Sequence, residues 1–301
     1  MVKQKRKNNT YPLFGLKTDK FIRSKHMIGN NCITLPSWLD DYIFNHLGAS
    51  YQRCNSDMLA INYGKKETLQ YLGTYFPRSY SESYTIFSQY FSIYSKIYTD
   101  KSELNIFDFG CGTGGELMGL TSAIREHIPN VNTINIHAFD GNQYALRIME
   151  QIVAYCQGIY STPKINTRIA PFRIDDFYDL SLFQEECLSQ SRKYDIILTF
   201  KAICELVTKQ QFETKNPYAH IINTFAPYLT ENGIMCIADI TSHSDISQEW
   251  LPKMLDRGIS ATICNVLMQN KDFSESYYIT HSRKQNELTK IAWRILKPRL
   301  S

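Results

Sequence analysis

At 301 residues, with 43% hydrophobic and 21% charged residues, the chain is long enough to bury a large core and has the balance of an ordinary soluble globular protein. No apolar run is long enough to span a bilayer, and the basic N-terminus is not followed by a signal-type apolar segment, so the expected location is cytoplasmic. The net charge of +4 is uneven: residues 1–25 carry +7, residues 281–301 carry +5, and the body between them −8. So acidic a body argues against a dedicated nucleic-acid-binding module, although RNA contact through the basic ends stays open. The eight cysteines form no C-x-x-C pair or Cys/His metal spacing, which predicts isolated thiols and no metal site.

In chain order, residues 1–30 lack periodicity and read as a flexible basic arm. "PSWLDDYIFNHLG" predicts a helix opened by a Ser37–Asp40 capping box and stopped at Gly48. A second start, Ser79 with Glu82, leads into Tyr84, Phe87, Tyr90, Phe91, Tyr94 and Tyr98, spaced three or four apart on one helical face. That face reads either as core or as the roof of an acceptor pocket. Residues 31–100 are thus expected to form an N-terminal helical cap, and 101–301 the main domain.

From 104 onward short β runs alternate with helices, the pattern of a parallel sheet with crossovers. Strands are expected near 104–109, 133–139, 166–173, 194–200 and 233–240, and helices near 114–127, 142–157, 216–229 and 246–256. Two further β runs, "ATICNVLMQN" and "SYYITHS", should pair as an antiparallel edge hairpin. "NELTKIAWRILK" reads as a last helix. The expected fold is α/β: a Rossmann-like, seven-stranded, mostly parallel sheet with an antiparallel edge strand, helices on both faces and the N-terminal cap.

The segment "NIFDFGCGTGGELMGL" (Asn105 to Leu120) holds glycines 110, 112, 114 and 115 between a strand and a helix. Such a turn lets a ligand approach the backbone and aims helix N-terminal amides at it. No Lys-Ser/Thr follows at P-loop spacing, which excludes that reading. Asp108, at the strand tip, would repel a dinucleotide pyrophosphate and favour a cofactor bearing positive charge. Asp140, ending the second strand, is placed to accept hydrogen bonds from ribose hydroxyls.

"FDFGCGTGGE" resembles motif I of class I S-adenosylmethionine-dependent methyltransferases, and "HAFDGNQYALRIME" resembles their second motif. The resemblance continues through "IDDF", "YDIILTFKAICEL" and "LTENGIMCIADI", and the closing hairpin is similar to that family's reversed seventh strand. It implies S-adenosylmethionine as cofactor. Gly110, Gly112 and Gly114 would lie against it, Asp108 near its amino-acid end, and Asp140 on the ribose diol. Asp175 or Asp176 would meet the adenine amino group, Phe200 and Lys201 would line the reactive side, and Arg78, with Tyr80, would lie near the cofactor carboxylate.

Methyl transfer needs a base only where the nucleophile must lose a proton. Glu205 and His281 are the candidates, while Asp239 and His243 also sit near strand ends. The Asp/Asn-Pro-Pro-Tyr/Phe motif of nucleobase amino methylation and the paired cysteine motifs of RNA cytosine-C5 enzymes are absent. A looser likeness to mitoribosomal-type methyltransferase-like proteins lacks their cluster cysteines. The acceptor is therefore left as a small molecule, protein or RNA. The alternatives are a non-catalytic member acting as an assembly or interaction factor, and an NAD-type oxidoreductase, which Asp108 and the terminal hairpin disfavour.

Overall fold

The computed structural model describes residues 31–52, 63–188, 192–271 and 273–299; the expected basic arm and Cys54 lie outside them. Strand β1 (Asn31–Thr34) leads into α1 (Ser37–Asp41), continued by a π-helical turn, Tyr42–His46. Then come α2 (Lys65–Tyr94), β2 (Glu103–Phe109), α3 (Gly115–His127), β3 (Thr133–Asp140), α4 (Gln143–Ile159) and β4 (Lys164–Pro171). They are followed by α5 (Ser181–Cys187), β5 (Tyr194–Phe200), α6 (Ile203–Leu206), α7 (Lys209–Thr214), α8 (Pro217–Phe225) and β6 (Leu229–Ile240). The chain closes with α9 (Leu251–Ser260), β7 (Cys264–Gln269), β8 (Glu275–His281) and β9 (Lys284–Pro298).

These strands form one mixed sheet in the order β1-β8-β9-β6-β5-β2-β3-β4, with β7 also paired to β9. The central run β4-β3-β2-β5-β6 is parallel, and β9 lies antiparallel to β6. Helices cover both faces, so the sheet is Rossmann-like. All five predicted parallel strands are present. β2 and β5 read as near-continuous apolar runs because both their faces are buried.

The described strands number nine rather than seven, and the predicted last helix is strand β9. Ile291, Trp293 and Ile295 pack into the core on one face, while Leu296 packs on the other. A short apolar run buried on both sides lacks the alternation that separates strand from helix. The expected β7–β8 hairpin does not form either. β8 turns at Ser282 and Arg283 and pairs with the first half of β9, whereas β7 pairs with its second half.

The predicted capping boxes also fail. Ser37 makes no cap hydrogen bond, and the Asp40 carboxylate instead accepts from the Ser282 amide and hydroxyl at the hairpin turn. Ser79 and Glu82 lie inside α2, which begins at Lys65 and runs through Pro77. Burial against α3 outweighs the proline penalty. The contact is close because Gly119 presents no side chain: a Cβ there would lie 2.5 Å from the Tyr80 carbonyl oxygen. Phe87, Tyr90, Phe91 and Tyr98 are fully buried in the same core as β2 and β3. The aromatic face is core, not a roof.

Candidate cofactor site

The turn after β2 is built backbone first. Gly110 and Cys111 both donate their amides to the Phe139 carbonyl at 2.9 Å, which docks the turn on the end of β3. Gly110 and Gly114 each have φ +81°, a region costly for residues with a Cβ. Space is as tight as conformation: a Cβ on Gly110 would collide with Ala202 Cβ, and one on Gly114 would meet Met149 Cγ at 2.5 Å.

Asp140 closes the arrangement. Its Oδ2 accepts from the Gly112 amide at 2.8 Å and its Oδ1 from the Asn142 amide at 2.7 Å. Burial raises its pKa, and the two amide bonds oppose the rise. Asn142 caps α4 by accepting from Tyr144 N at 2.9 Å, and its Nδ2 donates to Thr68 Oγ1 at 3.2 Å. That bond ties the start of α2 to the start of α4.

A cavity follows, lined by Gly110, Gly112, Asp140, Phe200, Lys201 and Glu205 among the expected residues. Thr68, Tyr71, Asn142, Phe172 and Ile174 line it too and were missed. Phe172 and Ile174 lie within three residues of Asp175, and their apolar character was the available signal. Tyr71 had none, because its helix was expected to begin later. Its ring comes within 3.4 Å of the position a Cβ on Gly112 would take. The cavity as it stands is about 60 Å³, well below the roughly 300–1,000 Å³ of small-molecule sites.

Asp108 and Glu116 form a buried acidic pair beneath the turn. Asp108 is not on the cavity wall, and neither of its oxygens has a hydrogen-bond partner. Burial, reinforced by Glu116 and Asp140, holds its pKa well above the usual carboxylate range. Burial pushes Glu116 up to about 8, with Lys201 opposing. Lys201, at φ 59°, turns its ammonium into the protein, where Nζ meets Glu82 Oε2 at 2.6 Å.

Several expected residues do not reach the cavity. Asp175 is exposed and lies 3.6 Å from Arg173, and Asp176 accepts from the Tyr178 amide. Arg78 is buried, donates Nε to Glu287 at 2.8 Å and is not on the cavity wall. Tyr80 bonds Ser122. His281 is buried, 3.2 Å from Glu287 and stacked on Phe44. Asp239 accepts from Tyr218, and His243 packs on Trp250. Arg78, Tyr80 and Asp239 are satisfied by partners distant in sequence, which single-sequence reading does not show.

No protein-family model matches the chain, and no curated protein matches it. Solved structures with a similar chain trace include methyltransferases. Magnesium protoporphyrin IX methyltransferase from Synechocystis, with bound S-adenosylmethionine, is 8% identical over 85% of this chain and 89% of its own, with a TM-score of 0.44. An S-adenosylmethionine-dependent methyltransferase from Clostridium acetobutylicum is 16% identical over 71% and 92%, with a TM-score of 0.40. An rRNA methyltransferase from Streptomyces viridochromogenes is 11% identical over 69% and 82%, with a TM-score of 0.36. Among the described residues no helix is long and apolar enough to cross a membrane.

Proposed function

We propose that the chain is a class I S-adenosylmethionine-dependent methyltransferase. The observation that carries this reading is Asp140, fixed by the Gly112 and Asn142 amides on the wall of a cavity at the C-terminal ends of the parallel strands. A carboxylate accepting two amides keeps lone pairs for a ribose diol, and Phe172, Ile174 and Phe200 supply apolar walls for a base. Glu116, once it loses its proton near pH 8, favours a ligand carrying positive charge. The reversed β9 beside β6 supports the same family.

The cofactor, when bound, supplies an electrophilic methyl on a sulfonium. The protein's part is to hold it, align the acceptor and exclude water. Glu205 is the better of the two base candidates because it stands on the cavity wall and His281 does not. The Tyr71 ring stands against Gly112 on the same wall. The narrow cavity favours, as a second reading, a non-catalytic member of this fold that acts in assembly or interaction.

Calorimetric titration with S-adenosylmethionine, S-adenosylhomocysteine and NADH, repeated on Asp140→Ala, tests the reading. Binding of both sulfur ligands, lost in the variant and absent for NADH, is the expected result. Radiolabelled methyl transfer to small-molecule, protein and RNA acceptors then separates enzyme from assembly factor. Failure of both sulfur ligands to bind overturns the methyltransferase reading.

A further inference from the structure

The other face of the sheet carries a second polar cavity near the N-terminal ends of β2, β3 and β4, away from the glycine turn. Asn105, Asn135 and Asn166 stand in register on the three strands. They are joined by Asn135 Nδ2 to Asn105 Oδ1 at 3.1 Å and Asn166 Nδ2 to Asn135 Oδ1 at 2.8 Å. Two residues further along, His137 pairs in register with Arg168. Phe183 of the short helix α5 packs on Phe107, Phe109 and Phe139, so α5 covers the aromatic rows. The rows of asparagine and histidine are left beside a cavity of about 350 Å³ whose lining includes Arg168, Arg192 and Tyr194.

Two features of this cavity point to an anion. Arg168 and Arg192 are both exposed, and neither forms an ion pair with a described residue. His137 is 1% exposed, its Nδ1 lies 2.8 Å from the Tyr194 hydroxyl, and its buried Nε2 has no partner. A buried orphan imidazole nitrogen lining a polar cavity is costly unless a ligand or water meets it. The one acid on the lining, Glu103, accepts from the Asn135 amide.

We propose that this cavity binds a phosphate group, with Arg168 and Arg192 supplying the charge and His137 Nε2 a buried hydrogen bond. Burial, aided by the two guanidiniums, lowers the His137 pKa to about 4, so the ring is neutral near pH 7. A Tyr194 hydroxyl that donates to Nδ1 leaves the ring proton on Nε2, the position this proposal gives to a phosphate oxygen. Guanidinium pairs match phosphate oxygens in forked geometry. The cavity is larger than a bare phosphate requires, and the asparagine amides suit the hydroxyls of a small phosphate monoester. The site is independent of the glycine turn and of the methyltransferase reading.

The test is 15N NMR of the His137 ring in the full chain, titrated with inorganic phosphate and with ribose 5-phosphate against chloride at equal ionic strength. A saturable shift at Nε2 with a rise in the ring pKa is expected, with ribose 5-phosphate saturating first. Earlier saturation by inorganic phosphate assigns the site to the free anion and still supports it. The Arg168→Met/Arg192→Met variant, whose changes lie at exposed positions and whose melting temperature checks the fold, should bind at least about tenfold more weakly. A drift shared with chloride, or a double variant that titrates like the unaltered protein, overturns the proposal.

Discussion

Lys201 and Glu82 are joined across the protein: the ammonium that follows β5 lies 2.6 Å from a carboxylate in the middle of α2. Glu82 is fully buried and also accepts from the Thr289 hydroxyl of β9. The pair therefore fastens α2 to the β5 tip and to β9. Removing one partner strands the other. Lys201→Met is expected to lower unfolding stability by about 3 kcal/mol, and the Lys201→Met/Glu82→Leu double variant by less than the sum of the two single changes. Denaturant unfolding of the four proteins measures this, and strict additivity would refute the coupling.

Arg78 and Glu287 give a second such pair, extended by Tyr51 and His281. Arg78→Met should cost about 3–5 kcal/mol in stability. Because Arg78 does not line the cavity, cofactor affinity in the still-folded fraction should remain within about threefold of the parent. A large loss of affinity with unchanged stability would restore Arg78 to the cofactor site.

The glycines divide by role. Gly119→Ala drives a methyl into the Tyr80 carbonyl at 2.5 Å and the Tyr84 amide at 2.8 Å, so it should destabilise the fold by about 1–3 kcal/mol. Its effect on cofactor binding should follow only from unfolding. Gly110→Ala adds a left-handed φ to a clash with Ala202 and should weaken both folding and binding. Melting temperature and calorimetry on each variant separate the two roles.

Glu116 and His137 give opposite pH trends. Glu116 is raised from 4.5 to about 8, so between those values the folded protein holds a proton that the unfolded chain has released. Its contribution to stability is present below pH 4.5 and is lost as the pH rises through 8. Binding of a cationic cofactor should accordingly tighten toward pH 8 and release protons, which calorimetry in buffers of different ionisation enthalpy detects. His137 is lowered from 6.5 to about 4. Its contribution is present above pH 6.5 and is lost as the pH falls through 4. Urea midpoints across this range should show both limbs, with Glu116→Gln flattening the alkaline one and His137→Gln the acid one.

What could be read in advance follows from range. The five parallel strands and helices α3, α4 and α8 were legible because each announces itself in a window of about ten residues, through apolar runs and glycine turns, whereas the short α5, α6 and α7 were not. The glycine turn with Asp140 was legible for the same reason, since a strand tip and a turn are local objects. Strand β9 was not, because Ile291, Trp293 and Ile295 are buried on one face and Leu296 on the other, and no local period records that. Nor were the partners of Arg78, His281 and Lys201, nor Tyr71 standing over Gly112.

The sequence by itself determined the α/β alternation, the position of the glycine turn and the acid beyond it, because backbone conformation and strand burial are written in neighbouring residues. Tertiary structure alone decided which charged groups are consumed by the core and which line the cavity. A buried carboxylate or guanidinium requires a counter-charge at hydrogen-bond distance, and that partner comes from wherever the folded chain happens to return.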